Sequence, residues 1–120
     1  MTIETYDIEI KQGSYWSISV ILKNDDETII DLTGYSAKMQ IRKDQSTNSK
    51  LYDTLSTEAG NEKIVITGSE GKLALTITDT ESSAYVFSSG YYDLEITDLS
   101  AHITRILQGV FSVNKNVTAN

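Results

Sequence analysis

Apolar and polar residues alternate with a period of two through most of the chain, broken by turn-forming clusters roughly every eight to twelve positions. Successive side chains on an extended backbone point to opposite faces, so this pattern predicts half-buried β-strands. Tyr6, Ile8 and Ile10 alternate with Asp7 and Glu9, giving a first strand that stops at Gln12-Gly13. Trp16, Ile18, Val20 and Leu22 line one face of a second strand, on this pattern the best core strand of the chain. Asn24 to Glu27 makes a polar turn, Thr28 to Leu32 a short extended segment, and Thr33-Gly34 a corner. Ala37, Met39 and Ile41 mark a third clear strand. The stretch KDQSTNSK from Lys43 to Lys50 has no apolar residue, which predicts an exposed and mobile loop, and Leu51 to Leu55 returns as an edge strand.

Farther along, Lys63 to Thr67 and Lys72 to Thr78 flank Gly68-Ser69-Glu70-Gly71, a hairpin connection with glycine at both ends. Asp79 to Tyr85 breaks the alternation: Thr78-Asp79 offers an N-cap with acidic residues in the first turn, and Ala84, Tyr85 and Val86 an apolar side. A short helix is expected there, ended by Ser88-Ser89-Gly90. Tyr92, Leu94 and Ile96 alternate with Asp93, Glu95 and Thr97, and a last long strand runs from His102 to Val113. Gly109 within it marks either a bulge or a close backbone approach. The expected fold class is all-β, a two-sheet immunoglobulin-like β-sandwich of about eight strands with one short helix near residues 79–85, its core aromatic supplied by Trp16. The sandwich domain spans 1–113, and 114–120 is a polar C-terminal tail, frayed or packed on a partner.

Composition narrows the chemistry. The 120 residues suffice for one domain with its own core, and no cysteine is present to form a disulfide or a thiolate metal site. The single histidine, His102, opens the last strand just after a turn and has no evident partner for general-base work. A net charge of −7 with Arg42 and Arg105 as the only arginines disfavours nucleic acid. No apolar run approaches the ~20 residues needed to span a bilayer, and Met1 to Asp7 lacks the blocks of a signal peptide, so a chain made in the cytoplasm and free of membrane is expected.

Candidate chemical motifs each have a plainer reading. Asp93 with Glu95, and Asp7 with Glu9, share strand faces at a spacing of about 7 Å, but solubilising charge accounts for them better than a glycosidase pair does. Asn24-Asp25-Asp26-Glu27 with Asp31 is the densest set of oxygen ligands, yet it lacks the alternating spacing and central glycine of a calcium loop. Gly68 to Gly71 is no phosphate loop, because no Lys-Ser/Thr pair and no helix follow it. Catalytic, cofactor and metal residues are accordingly assigned as none. Among the tyrosines, Tyr15 and Tyr91 fall opposite Trp16 and Tyr92, and Ile21, Ile106 and Val110 also fall opposite the inferred core face. Tyr15, Ile21, Tyr91, Ile106 and Val110 are therefore the candidate interaction residues. An outward tyrosine serves as an interface anchor, a sugar-stacking platform or an ordinary strand residue.

The order of segments resembles a known family. The stretch QGSYWSISVILKNDDETIIDLTGYSAKMQIR, then a hairpin, a short helical insert, GYYDLEIT and ITRILQGVFSVNKNVT, is similar to the immunoglobulin-like domains of tailed-bacteriophage tail and baseplate proteins, including the N-terminal domain of baseplate upper proteins. The similarity runs from Ile8 to Thr118, and Asp31-Leu32-Thr33-Gly34-Tyr35 and Thr104-Arg105-Ile106-Leu107-Gln108-Gly109 are its most telling pieces. The resemblance implies a non-enzymatic structural subunit of the virion, assembled in the host cytoplasm and docked on other virion proteins in multiple symmetric copies. Family members often continue into a helical or receptor-binding region, whereas this chain stops at Asn120, which favours an accessory or connecting subunit over host recognition. The alternatives are a small carbohydrate-binding module for a host surface glycan and a head decoration or neck protein.

Overall fold

Alternating strands bury their apolar faces only against a second layer, and the computed structural model, which describes residues 3–117, shows two such layers. Nine strands occur among the described residues: β1 (Glu4–Thr5), β2 (Ile8–Lys11), β3 (Trp16–Ile21), β4 (Ser36–Arg42), β5 (Leu51–Ser56), β6 (Ile64–Thr67), β7 (Lys72–Ile77), β8 (Ser89–Thr97) and β9 (Ile103–Asn114). One helix, α1 (Asp79–Ser83), lies between β7 and β8. The larger sheet runs β1-β9-β8-β4-β5, with β2 also on β9, and the smaller runs β3-β7-β6. In immunoglobulin terms β3, β7 and β6 take the places of strands B, E and D, and β9, β8, β4 and β5 those of G, F, C and C′. The first strand is carried across to the G position, where β1 and β2 pair with β9 in parallel. The predicted all-β, two-sheet immunoglobulin-like sandwich with a short helix is thus the observed fold.

Met39, Ile41, Leu94 and Phe111 of the larger sheet meet Leu73, Leu75 and Ile77 of β7, and all seven are fully buried. Each such side chain contributes about 1.5–3 kcal/mol relative to an exposed one. Phe111 anchors a ring cluster, with Tyr85 and Tyr92 edge-on to it at 6.2 and 6.5 Å. Tyr52 stacks on Phe87 at 4.1 Å beside them. These rings, and not Trp16, are the aromatic centre. Trp16, Ile18 and Val20 are only half-buried, because β3 lies at an edge of the smaller sheet and β7 takes the central place that the alternation assigned to β3.

Other departures have equally local causes. The first strand is interrupted at Tyr6-Asp7, and Thr28 to Leu32 forms only a bridge between Ile29 and Lys23. Gly71, in the left-handed conformation, closes the hairpin between β6 and β7. The helix is capped as the sequence suggests, since Thr78 and Glu81 form a reciprocal capping box. It buries Ser82 and the following Tyr85, whereas Val86 is exposed and β8 begins as early as Ser89. Asn114 belongs to β9, and Lys115 and Asn116 bond back to the Tyr85 carbonyl and the Gln12 side chain. The rest of the predicted 114–120 tail, beyond Val117, lies outside the described residues.

Ile106 is the main correction. Strict alternation places it outward, but the β8–β9 register shifts: Leu94 faces Leu107 while Glu95 faces Arg105, and the extra residue is Ile106. The bulge turns Ile106 and Leu107 inward together, to 4% and 7% exposure. Gly109 answers to the second of its two expectations. A Cβ there would fall on the Tyr6 carbonyl and crowd the Asp7 carboxylate.

Two stability measurements follow. Ile106→Ala should cost about 2–5 kcal/mol in chemical denaturation, while Ile103→Ala, on an exposed side chain of the same strand, should change stability by less than ~0.5 kcal/mol. Gly109→Ala should cost about 1–3 kcal/mol, because the N-terminal strand must retreat from β9.

Candidate functional site

Three neighbouring strands of the larger sheet turn their polar positions to one outer face. The registers align Lys38, Glu95 and Arg105 in one row, Gln40, Asp93 and Gln108 in a second, and Arg42, Tyr91 and Val110 in a third. Residues 43–50 rise beside the third row, so the face is a groove of about 410 Å³, walled by Asp44, Gln45, Ser46 and Thr47. The wall is built and not merely polar. The Arg42 Nη1 group donates to the Ser49 carbonyl at 2.8 Å and Nη2 donates to Gln40 Oε1 at 3.0 Å. The Ser49 hydroxyl donates to the Ser46 and Asp44 carbonyls at 2.8 and 3.0 Å, which closes the loop on itself.

Charge on this face is balanced although the chain carries −7. Lys38, Arg42 and Arg105 stand among Asp44, Asp93 and Glu95, so both arginines of the sequence are here. Arg105 Nε lies 3.6 Å from Asp93 Oδ2, and its Nη1 group donates to Gln108 Oε1 at 3.0 Å. The Asp93–Glu95 pair thus does share a face, but within an alternating field of cations. Such a surface offers planar hydrogen-bonding groups, one exposed tyrosine ring and fixed charges of both signs, the equipment of recognition.

The five candidate interaction residues separate in space. Tyr91 and its register partner Val110 share the outer face, where the exposed Tyr91 lines the groove and Val110 is half-buried beside it. Tyr15 and Ile21 sit at opposite ends of β3 on the smaller sheet, 64% and 54% exposed, and Ile106 is in the core. Lys38, Gln40, Arg42 and Gln108 complete the groove and were not singled out by pattern. Lys38, Gln40 and Arg42 are the polar alternates of Ala37, Met39 and Ile41, but only the pairing of β4 with β8 sets them beside Asp93 and Glu95, and only that of β8 with β9 brings Gln108 there.

A second cluster of titratable groups lies at the β5 edge. Lys63 Nζ sits 3.0 Å from Glu81 Oε2 and 3.4 Å from Asp53 Oδ1, and the Tyr85 hydroxyl donates to Asp53 Oδ2 at 2.5 Å. Burial, and then the Asp53 carboxylate, push the Tyr85 phenol well above its ordinary value. Burial acts to raise Glu81 too, but the Thr78 N–H, the Lys63 ammonium and the Thr78 hydroxyl outweigh it and hold the carboxyl below the usual glutamate range. Every charge has a partner, so this cluster acts as a clamp from β5 to the helical corner.

The remaining polar candidates are local turn structures. Asp26 Oδ1 and Asp31 Oδ1 each accept from the hydroxyl and the N–H of a threonine two residues on, Thr28 and Thr33, and these bonds depress both carboxyls. No three metal-ligating side chains converge among the described residues. His102 is exposed, its ring 3.7 Å from Asp98, whose carboxyl is lowered chiefly by the His102 backbone N–H.

Because Glu81 is lowered in the folded state, its contribution is complete above the ordinary value of 4.5 and is lost as pH falls through the folded value. Urea midpoints measured between neutral pH and roughly pH 3 should therefore fall on acidification, and Glu81→Gln should flatten that dependence. Lys63→Met should cost about 1–2 kcal/mol at neutral pH, between the scale of an exposed pair and that of a buried one. Compared with known proteins, the chain matches no protein-family model and no curated protein sequence.

Proposed function

We propose that the chain is a non-enzymatic structural domain of a tailed-bacteriophage particle, an adaptor or accessory subunit of the tail or baseplate that docks onto other virion proteins in repeated, symmetric copies. The observation that carries docking is the charge-balanced groove on the outer face of β4, β8 and β9, with Tyr91 and Arg42 at one end. Tyrosine and arginine are enriched at the energetic centres of protein interfaces, because a rigid ring and a planar guanidinium offer much contact at low entropic cost. Both stand on paired strands, and Arg42 is held by two hydrogen bonds, so little ordering remains to be done on binding. The segments that resemble phage immunoglobulin-like domains support the placement in a virion. Neither a nucleic-acid nor a membrane partner is part of this reading.

A second reading, glycan recognition, is favoured by the same groove. Gln40, Gln108, Asp93 and Arg105 present hydrogen-bonding groups beside the Tyr91 ring, a combination suited to sugar hydroxyls and a stacked pyranose face.

Co-sedimentation with assembled tails separates the two. The wild-type chain should co-sediment, and Tyr91→Ala or Arg42→Ala should weaken the association at least ~30-fold, the scale of an interface hot spot. Isothermal titration with host surface polysaccharide that shows binding abolished by Tyr91→Ala, without tail association, would establish the second reading. Mass spectrometry of purified virions checks the placement itself, including a head or neck position.

A further inference from the structure

A sheet edge is a row of free backbone donors and acceptors, and soluble proteins guard it with charge, shortness, bulges or breaks. Three edges of this sandwich are guarded. The β1/β2 edge is broken at Tyr6-Asp7, β5 carries Asp53 and faces a register shift at Ile41/Arg42, and β6 has four residues. The β3 edge has none of these devices. It runs six residues, Trp16-Ser17-Ile18-Ser19-Val20-Ile21, in unbroken register with β7, without a charge and, in a chain that has none, without a proline.

The strand that would cover β3 in many immunoglobulin sandwiches is here committed to β9. Backbone parity says which groups are left over. The Leu22 N–H donates to the Gly71 carbonyl, its register partner, so Val20, Ile18 and Trp16 also bond toward β7. The N–H and C=O groups of Ser17, Ser19 and Ile21 therefore face the open edge, and all three residues are exposed.

We infer that β3 pairs with β3 of a second copy of this chain, antiparallel about Ser19, joining the two smaller sheets into one continuous sheet. Charge argues for the occupant. Two chains of −7 repel over most approaches, but Ser17, Ser19 and Ile21 of β3, Lys72, Ala74 and Thr76 of β7 and Val65 and Thr67 of β6 give the outer surface of this sheet no acidic side chain. The strand is also complementary to itself. Pairing about Ser19 sets Ser17 against Ile21 of the second copy, Ser19 against Ser19, and Tyr15 against Lys23 on the same outer face. That last pair brings an exposed ring to the Lys23 ammonium, which also lies 3.8 Å from Glu27 of its own turn, at each end of the contact. The antiparallel arrangement keeps the two acidic turns, Asp25 to Glu27, at opposite ends of the dimer. Tyr15 and Ile21 thereby acquire a common role, on a surface separate from the Tyr91 groove and independent of what that groove binds.

Sedimentation equilibrium of the full chain over a micromolar to millimolar series tests the inference. A monomer–dimer equilibrium is expected, weakened at least tenfold by Ser19→Pro, which removes the central free N–H, and by Ser19→Lys, which opposes two like charges. Circular dichroism should be unchanged in Ser19→Lys, so that this variant decides the matter if proline disturbs β3. Ser19→Cys, the sole thiol of such a chain, should form an intermolecular disulfide on mild oxidation, since facing residues of a hydrogen-bonded pair have Cα atoms about 5.5 Å apart. Ser17→Cys should remain reduced. A wild-type chain that stays monomeric throughout overturns the inference and leaves the edge to a strand from another protein. A dimer insensitive to both Ser19 substitutions overturns it in favour of another surface, and cross-linking at Ser17 as fast as at Ser19 overturns the two-fold register.

Discussion

The Tyr6 carbonyl lies against Gly109 and accepts a hydrogen bond from the buried Tyr92 hydroxyl, while the Asp7 carboxylate accepts from the Val110 N–H at 2.9 Å. This cluster of contacts holds the N-terminal strand on β9, and the layout of the molecule follows from it. With β1 and β2 on β9, the larger sheet has its full width and β9 is flanked on both sides. The smaller sheet is left with three strands, and β3 with one neighbour. Burial pushes the Tyr92 phenol above its ordinary value, with the Asp7 carboxylate adding to the effect, so the hydroxyl stays protonated and able to donate.

The second organising device is the bulge at Ile106. One extra residue in β9 reverses the facing of everything on one side of it relative to the other. Arg105 and Gln108 consequently stand on the same outer face, three positions apart, where strict alternation would separate them. The Arg105–Gln108 hydrogen bond and the Arg105–Asp93 contact both depend on that reversal. The bulge thus serves two ends at once: it adds Ile106 to the core, and it gathers the polar groups of the groove.

The ring cluster around Phe111 and the Asp53–Lys63–Glu81–Tyr85 clamp meet in one residue. Tyr85 places its ring against Phe87 and Phe111 and its hydroxyl on Asp53. The helical corner is therefore fastened by apolar contact and by charge through a single side chain. Around this rigid centre the two outward surfaces differ in kind. The groove face is rich in paired charges, whereas the β3 edge offers free backbone groups beside the uncharged Ser17, Ser19 and Ile21, so the two suit different neighbours.

Much of this was legible in the linear chain, because side-chain alternation and turn chemistry are local properties. Ala37-Met39-Ile41, Leu73-Leu75-Ile77 and Tyr92-Leu94-Ile96 announced their strands and inward faces, Thr78-Asp79 announced the helix start, and Gly109 a bulge or a close approach, of which the structure has the approach. The outward position of Tyr91 followed from its neighbour Tyr92. What alternation could not carry is anything that depends on which strands become neighbours. Trp16, Ile18 and Val20 have the pattern of a central strand, but their burial depends on how many strands lie beside β3, and that is decided by where the first strand goes. Ile106 has the parity of an outward residue until its partner strand slips by one. Lys38, Gln40 and Arg42 become a site only beside β8, more than forty residues away in the chain. The sequence by itself determined the main strands, the inward faces of β4, β7 and β8 and the all-β class, through interactions between residues one or two positions apart. Tertiary structure alone decided the sheet edges, the bulge and the groove, because each arises from hydrogen bonds between segments that local pattern does not connect.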